Sequence, residues 1–159
     1  MTFEIYLADE NATLEIASRL SKLLDGRGVV FLEGQLGAGK TTFCRGMLRA
    51  MGYSGAVKSP TFTLVEPYNL QKGHVYHFDL YRLNDPEELE YLGIDDYLDA
   101  NELCLVEWPE RGQGFLPDCD LSIQLTVKLT EGMGRRLRVE GKSARGHEIC
   151  QTLTDCDGR

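Results

Sequence analysis

The stretch Val29-Val30-Phe31-Leu32-Glu33-Gly34-Gln35-Leu36-Gly37-Ala38-Gly39-Lys40-Thr41-Thr42 decides the fold. Its first four residues are a continuous apolar run, the pattern of a strand buried on both faces of a parallel sheet. Gly34 to Thr41 then fits G-x-x-x-x-G-K-[ST]. Glycines let the backbone wrap closely round phosphate oxygens, so that its N–H groups point inward. From about Lys40 to Met51 the periodicity is helical. Phe43, Met47, Leu48 and Met51 share a stripe, and Gly52 is a natural residue to end the helix. Such a helix aims its positive dipole end at the same anion. Strand, glycine loop and helix in that order predict a phosphate-binding P-loop that takes ATP with Mg²⁺. Lys40 is expected to reach the β- and γ-phosphates, and the Thr41 hydroxyl to coordinate the metal.

Working outward, residues 12 to 24 read as an amphipathic helix. Ile16, Leu20, Leu23 and Leu24 lie on one face, Asn11 is its candidate N-cap, and Asp25-Gly26 ends it. Ser59-Pro60-Thr61-Phe62-Thr63 is a loop leading to a strand at Leu64-Val65. Val75 to Asp79 is a further strand, with Val75, His77 and Asp79 on one face and Tyr76 and Phe78 on the other. Asp85-Pro86-Glu87-Glu88 opens a helix, with Asp85 as cap, Pro86 at its first position and Glu88 completing a capping box. Leu103-Cys104-Leu105-Val106 repeats the buried-strand pattern. After Pro117, Leu121, Ile123, Leu125 and Val127 alternate with polar residues, as in a half-exposed antiparallel strand. Residues 136 to 140 and 147 to 153 extend this into a meander. The expectation is one α/β domain over residues 1–159, a three-layer fold of the P-loop NTPase type with a parallel central sheet and added antiparallel strands.

The 159 residues carry a formal net charge of -8, which argues against a surface that itself grips nucleic acid. Arg135, Arg136, Arg138 and Lys142 form the one basic cluster. It reads either as a solvated or edge strand protected by charge, or as an RNA or phosphate contact. The five cysteines are odd in number and lack Cys-x-x-Cys spacing, so neither a disulfide framework nor a zinc site is expected. Cys44 and Cys104 look like small buried hydrophobes. No apolar run is long enough to cross a membrane, and the N-terminus lacks the basic start and apolar stretch of a signal peptide. A cytoplasmic protein without membrane contact is expected.

Two carboxylates stand where strands end. Glu107 closes the run Leu103 to Val106, where P-loop proteins place an acidic residue that holds Mg²⁺ or positions the attacking water. Asp79 closes the strand before it, either as a second such carboxylate or as the cap of the turn Leu80-Tyr81-Arg82. His77 reads as a packed core histidine. His74 and His77 have no third or fourth ligand nearby, so zinc is again not expected. Thr61 and Thr63 lie where a switch-like loop meets a γ-phosphate, or are ordinary turn hydroxyls. Guanine specificity is unsupported. There is no Asn-Lys-x-Asp motif, and the only Asp-x-x-Gly after the loop is Asp155 to Gly158.

The P-loop, Ser59-Pro60-Thr61-Phe62-Thr63-Leu64, His77-Phe78-Asp79-Leu80-Tyr81-Arg82-Leu83 and Val106-Glu107-Trp108-Pro109-Glu110, taken together, resemble the bacterial TsaE family, formerly called YjeE, over roughly residues 5 to 125. The resemblance implies an ATPase needed to make threonylcarbamoyladenosine next to the anticodon of tRNA. In that family the partners TsaD and TsaB carry out the transfer, and TsaE binds the TsaB–TsaD complex and supports its turnover. Contact with tRNA would then be indirect. Carried over by position, Gly37, Ala38, Gly39, Lys40, Thr41 and Thr42 bind the phosphates, and Thr41 with Glu107 holds Mg²⁺. Asp79 and the Ser59–Thr63 loop belong to the surroundings of the site, Thr13 approaches the nucleotide, and Trp108 serves packing or partner contact. Two other readings stay open. A small-molecule P-loop kinase needs an acceptor pocket and an Arg-bearing lid, for which Arg82 and Arg111 are the candidates in mid-chain. A nucleotide-dependent binding module without useful hydrolysis would have no need of Glu107.

Overall fold

Seven strands form one mixed sheet in the order β1-β7-β6-β2-β5-β4-β3 in the computed structural model, which describes residues 1–98, 101–128 and 134–157. In chain order the elements are β1 (Thr2–Leu7), α1 (Glu10–Leu24), β2 (Gly28–Glu33), α2 (Lys40–Ala50), β3 (Val65–Leu70), β4 (Gly73–Asp79), α3 (Glu88–Leu92), α4 (Ile94–Tyr97), β5 (Leu103–Glu107), a 3-10 turn (Pro109–Gly112), β6 (Leu121–Val127), β7 (Arg135–Gly141) and α5 (Ala144–Cys156). Gly158, half of the Asp-x-x-Gly pair, lies outside the described residues. The centre is parallel, with β2 between β5 and β6 and β4 beside β5. The margins are antiparallel: β3 on β4, and β6, β7 and β1 in succession.

Alternation along the strands divides the core into two layers. Val30 and Leu32 of β2 and Leu103 and Leu105 of β5 pack with Leu20, Phe43, Met47 and Leu153, from α1, α2 and α5. Val29, Cys104, Val106 and Phe78 face the other way, onto Leu80, Leu89 and Ile94. The stripe Phe43, Met47, Leu48 and Met51 is buried as the periodicity requires. β5 is buried along its whole length, which explains its unbroken apolar run.

Several sequence expectations need correction. The cap of α1 is Asp9, not Asn11. Asp9 is extended, and its carboxylate accepts from the Ala12 N–H at 2.8 Å. Asp85 accepts from the Glu87 N–H at 3.0 Å, but the turn it caps precedes α3, which starts at Glu88. β3 starts after Leu64 and runs on through Pro67 to Leu70. A proline is tolerated there because β3 is an edge. β6 is antiparallel only to β7 and runs parallel to β2 on its other side. Alternation reports which face is buried, not the direction of the neighbouring strand.

β1 was not anticipated, and it pairs with β7 from Thr2↔Glu140 to Leu7↔Arg135. β7 is therefore interior, and the basic cluster does not protect an edge. Residues 147 to 153 are helical. Ile149 and Leu153 fit strand alternation, but Gly146, Ile149, Cys150 and Leu153 are buried together at the i, i+3, i+4, i+7 spacing of a helix face. Ser143 caps α5, its hydroxyl accepting from the Gly146 N–H at 3.0 Å. Ser143→Ala should cost about 1 kcal/mol. A thermal melt should show a Tm lower by roughly 2–4 °C.

Candidate active site around the phosphate loop

The loop leaves β2 at Gly34, whose φ is +154°. A Cβ there would lie 2.7 Å from the Leu125 carbonyl oxygen of β6, so the close approach of loop to sheet excludes any larger residue. Gly39 has φ +107° and opens α2 without a side-chain cap. The first-turn N–H groups of α2 are thus left for an anion. A cavity of about 490 Å³ lies over this terminus, lined in part by Lys40, Thr41, Ser59, Asp79, Glu107 and Trp108.

Lys40 is folded back onto the loop. Its ammonium donates to the Gly34 carbonyl and, at 3.1 Å, to that of Gln35, and it lies 4.3 Å over the Trp108 ring. Burial pulls the Lys40 pKa below the usual lysine value, and the charges of Glu107 and Asp79 oppose that shift.

Parallel pairing of β4 and β5 sets Asp79 directly opposite Glu107. Both are buried, with 4% and 3% exposure, although both are ionisable. Their hydrogen bonds explain how this is tolerated. Oε2 of Glu107 meets Nε2 of His77 at 2.6 Å and lies 3.1 Å from the Ser59 hydroxyl, whose one proton is shared with Asp79. The Thr41 hydroxyl lies 3.4 Å from each Glu107 oxygen. Asp79 caps the turn Leu80-Tyr81-Arg82 and also lines the cavity. Its Oδ1 accepts from the Tyr81 N–H at 2.9 Å and caps that turn, while Oδ2 faces the site and accepts from Ser59 and, at 3.4 Å, from Thr61. Thr63 is exposed and does not line the cavity.

The donor set of Thr41 and Glu107 fits Mg²⁺. Both offer hard oxygen, and an octahedral ion with ligands at 2.0–2.1 Å holds adjacent ones about 2.9 Å apart. The observed 3.4 Å separation is close to that spacing.

On the other side of the loop a smaller cavity of about 160 Å³ is lined by Thr13, Asp9, Gly37, Gly39, Thr42 and Arg135, among others. Thr13 thus approaches the loop from α1. Arg135 is the residue that sequence reasoning placed least well. Its guanidinium donates to the Ala38 carbonyl at 3.1 Å and to that of Gly37 at 3.2 Å, tying β7 to the loop. Ser59, which joins Asp79 to Glu107, was visible only as part of a loop. No local signal marks either residue, because their partners are 20 to 98 residues away.

The sequence expectation that His77 has no further ligands near it does not hold in three dimensions. Cys44 of α2 and Glu107 come together beside it, whereas His74 is exposed and bonded to Asn69 at 2.6 Å. Burial raises the Cys44 thiol well above its usual pKa, and pushes Cys119 up to about 11. Cys156 is the exposed thiol, and the other four cysteines are buried. A thiol titration of the native protein should therefore count one fast-reacting group, with the others released by denaturant. Two or more fast thiols would contradict this packing.

The description Threonylcarbamoyl adenosine biosynthesis protein TsaE belongs to a family whose model matches residues 7–137. The chain is 49% identical over 125 residues to the tRNA threonylcarbamoyladenosine biosynthesis protein TsaE of Haemophilus influenzae, covering 76% of this chain and 79% of that one. It is 36% identical over 141 residues to the protein of that name from Aquifex aeolicus, covering 87% and 96%. The crystal structure of Bacillus subtilis YdiB superposes with a TM-score of 0.79 at 29% identity, over 99% of this chain and 97% of that one. That match bears out the α/β fold of the P-loop type. Among the described residues no helix is long and apolar enough to cross a membrane.

Proposed function

The chain belongs to the TsaE family of threonylcarbamoyl adenosine biosynthesis proteins, and from that membership and the geometry of the loop we propose that it is a Mg²⁺-dependent ATPase supporting threonylcarbamoyladenosine modification of tRNA together with TsaB and TsaD. The observation that carries the reading is the Thr41 hydroxyl facing the Glu107 carboxylate beneath an uncapped helix N-terminus, with the Lys40 ammonium alongside.

Each residue has a role that follows from its position. The N–H groups from Gly37, Ala38 and Gly39 to Thr42 cradle the phosphates. Lys40 exchanges the Gly34 and Gln35 carbonyls for β- and γ-phosphate oxygens. Thr41 and Glu107 are the residues that would hold Mg²⁺. When bound, the ion neutralises charge on the phosphate oxygens. His77 and Ser59 fix one Glu107 oxygen, so that the carboxylate is held in place before the ligand arrives. Asp79, joined to Glu107 through Ser59, is the second acidic group and is suited to orienting the attacking water. Thr13 and Arg135 flank the loop on the side of the smaller cavity.

The partner half of the proposal rests on openness. Leu36 and Phe62 are large apolar residues left 66% and 83% exposed. Leu36 lines the mouth of the larger cavity, and Arg82, which also lines it, stacks over the Phe62 ring at 4.5 Å. A protein surface that covered them would exclude water from the phosphates and bring the charge that phosphoryl transfer requires. The net charge of -8 favours leaving the tRNA to that partner.

Steady-state phosphate release, measured alone and with purified TsaB–TsaD, tests the function. Hydrolysis is expected to be slow alone and to rise by at least about tenfold in the complex, below the gain an arginine finger in trans supplies elsewhere. Fast hydrolysis by the isolated chain, indifferent to partners, would contradict the proposal, and a phosphorylated small-molecule acceptor would replace it with a kinase. An anisotropy titration at physiological salt should show at most weak, salt-sensitive tRNA binding by the chain alone.

A further inference from the structure

Three side chains meet behind the phosphate loop in an arrangement that nucleotide hydrolysis does not require. Cys44 on α2, His77 on β4 and Glu107 on β5 each present a metal-ligating atom, and the three atoms lie within 4.8 Å of one another. All three residues are buried, Cys44 and His77 completely. The thiol is the odd member. Mg²⁺ takes oxygen, whereas sulfur, imidazole nitrogen and carboxylate together are the donor set of zinc.

A second observation points the same way. His77 commits Nε2 to Glu107, but its Nδ1 is buried without a hydrogen-bond partner among the described residues. No second bond therefore anchors the ring against the small turn that brings a nitrogen onto an ion shared with Cys44 and Glu107. The spacing is suitable too. Zn–S near 2.3 Å and Zn–N or Zn–O near 2.0–2.2 Å place tetrahedral ligands about 3.3–3.7 Å apart, so side-chain movements of about 1 Å close the triangle.

We propose that Cys44, His77 and Glu107 form a binding site for a thiophilic divalent cation of the zinc class, entered through the phosphate-loop cavity and mutually exclusive with magnesium at Glu107. Glu107 lines that cavity and would be the ion's first contact, with His77 and Cys44 behind it. The fourth position falls to water or to Asp79, already joined to Glu107 through Ser59. One carboxylate then chooses between two ions. With zinc it turns inward to sulfur and nitrogen, and with magnesium it faces the Thr41 hydroxyl. Zinc would switch the site off without occupying the nucleotide pocket. Binding itself stands on the three ligand positions, and the exclusivity rests on the role proposed above for Glu107.

Co²⁺ is the probe, because its spectrum reports both sulfur ligation and tetrahedral geometry. Titrated into the nucleotide-free protein, it should give a thiolate-to-cobalt charge-transfer band and intense d–d bands at one equivalent. Cys44→Ser should abolish the charge-transfer band and weaken binding by more than about tenfold. Cys44→Ala should do the same, and circular dichroism of both variants shows that the fold survives. Cys156→Ser, which removes the exposed thiol, should leave the spectrum unchanged. A wild-type protein without the charge-transfer band, or a band that persists in both Cys44 variants, overturns the site. Saturating Mg-ATP should displace the cobalt, and an unaltered cobalt spectrum would overturn the exclusivity. Zn²⁺ should also slow phosphate release in the wild type at concentrations at least tenfold below those needed for Cys44→Ser, and equal sensitivity would overturn the regulatory role. The spectroscopic arm stands whether or not the protein hydrolyses ATP, so its failure is distinguishable from failure of the ATPase reading.

Discussion

Lys40→Ala is expected to lower partner-stimulated ATP hydrolysis by about 10²–10³-fold, the loss typical of removing one preorganised group that stabilises transition-state charge. The effect should be this large because Lys40 has no substitute nearby. Arg135 is engaged with the Gly37 and Ala38 carbonyls on the other side of the loop, and Arg82 is stacked on Phe62 at the rim. The folded state should tolerate the change. What the alanine removes is a pair of hydrogen bonds to loop carbonyls and a contact with Trp108, while a buried ammonium whose pKa is already pulled down is removed with them. Lys40→Arg should not rescue activity, since a planar guanidinium cannot replace a point charge on a flexible stem. Phosphate release and calorimetric nucleotide titration check both variants. Normal hydrolysis by Lys40→Ala would remove the P-loop assignment.

Glu107→Gln is expected to reduce hydrolysis by about 10²-fold and to flatten its response to Mg²⁺. Glutamine is the informative substitution here. Glu107 is buried and bonded to His77 and Ser59, so alanine would leave buried polar partners unmet at a cost of about 1–3 kcal/mol. The amide keeps the volume and most of the hydrogen bonding but removes the negative charge. A magnesium titration of phosphate release, paired with a thermal melt, separates lost chemistry from lost fold. A rate that follows magnesium as in the wild type would transfer the metal role to Asp79, which stands opposite Glu107 on the neighbouring strand.

Much of the site was legible because it is local. A phosphate loop needs glycines where the backbone turns left-handed or touches a neighbouring strand, and a lysine and a hydroxyl at the start of the following helix. All of these lie within nine residues of one another. Glu107 was legible for a related reason, since a carboxylate at the end of an unbroken apolar run stands at the mouth of a buried parallel strand. Asp79 was legible only as a pair of alternatives; the structure shows the cap, through Oδ1, and turns Oδ2 toward Ser59.

The sequence by itself determined the class of fold, the phosphate loop, the buried stripe of α2 and the two strands β2 and β5, because periodicity and backbone stereochemistry act between neighbours. Tertiary structure alone decided the direction of β6, the pairing of β1 with β7, the helical state of α5, and which side chains surround Glu107. These depend on packing between segments far apart in the chain: His77 and Glu107 are 30 residues apart, Thr41 and Glu107 66, and Ala38 and Arg135 97. The four-residue spacing of Ile149 and Leu153 suits a strand or a helix, and burial of Cys150 against the β7 layer settles which. A histidine and a cysteine that look inert along the chain become neighbours of Glu107 because Cys44 of α2 packs into the same core layer as Val75 of β4 and Leu103 and Leu105 of β5.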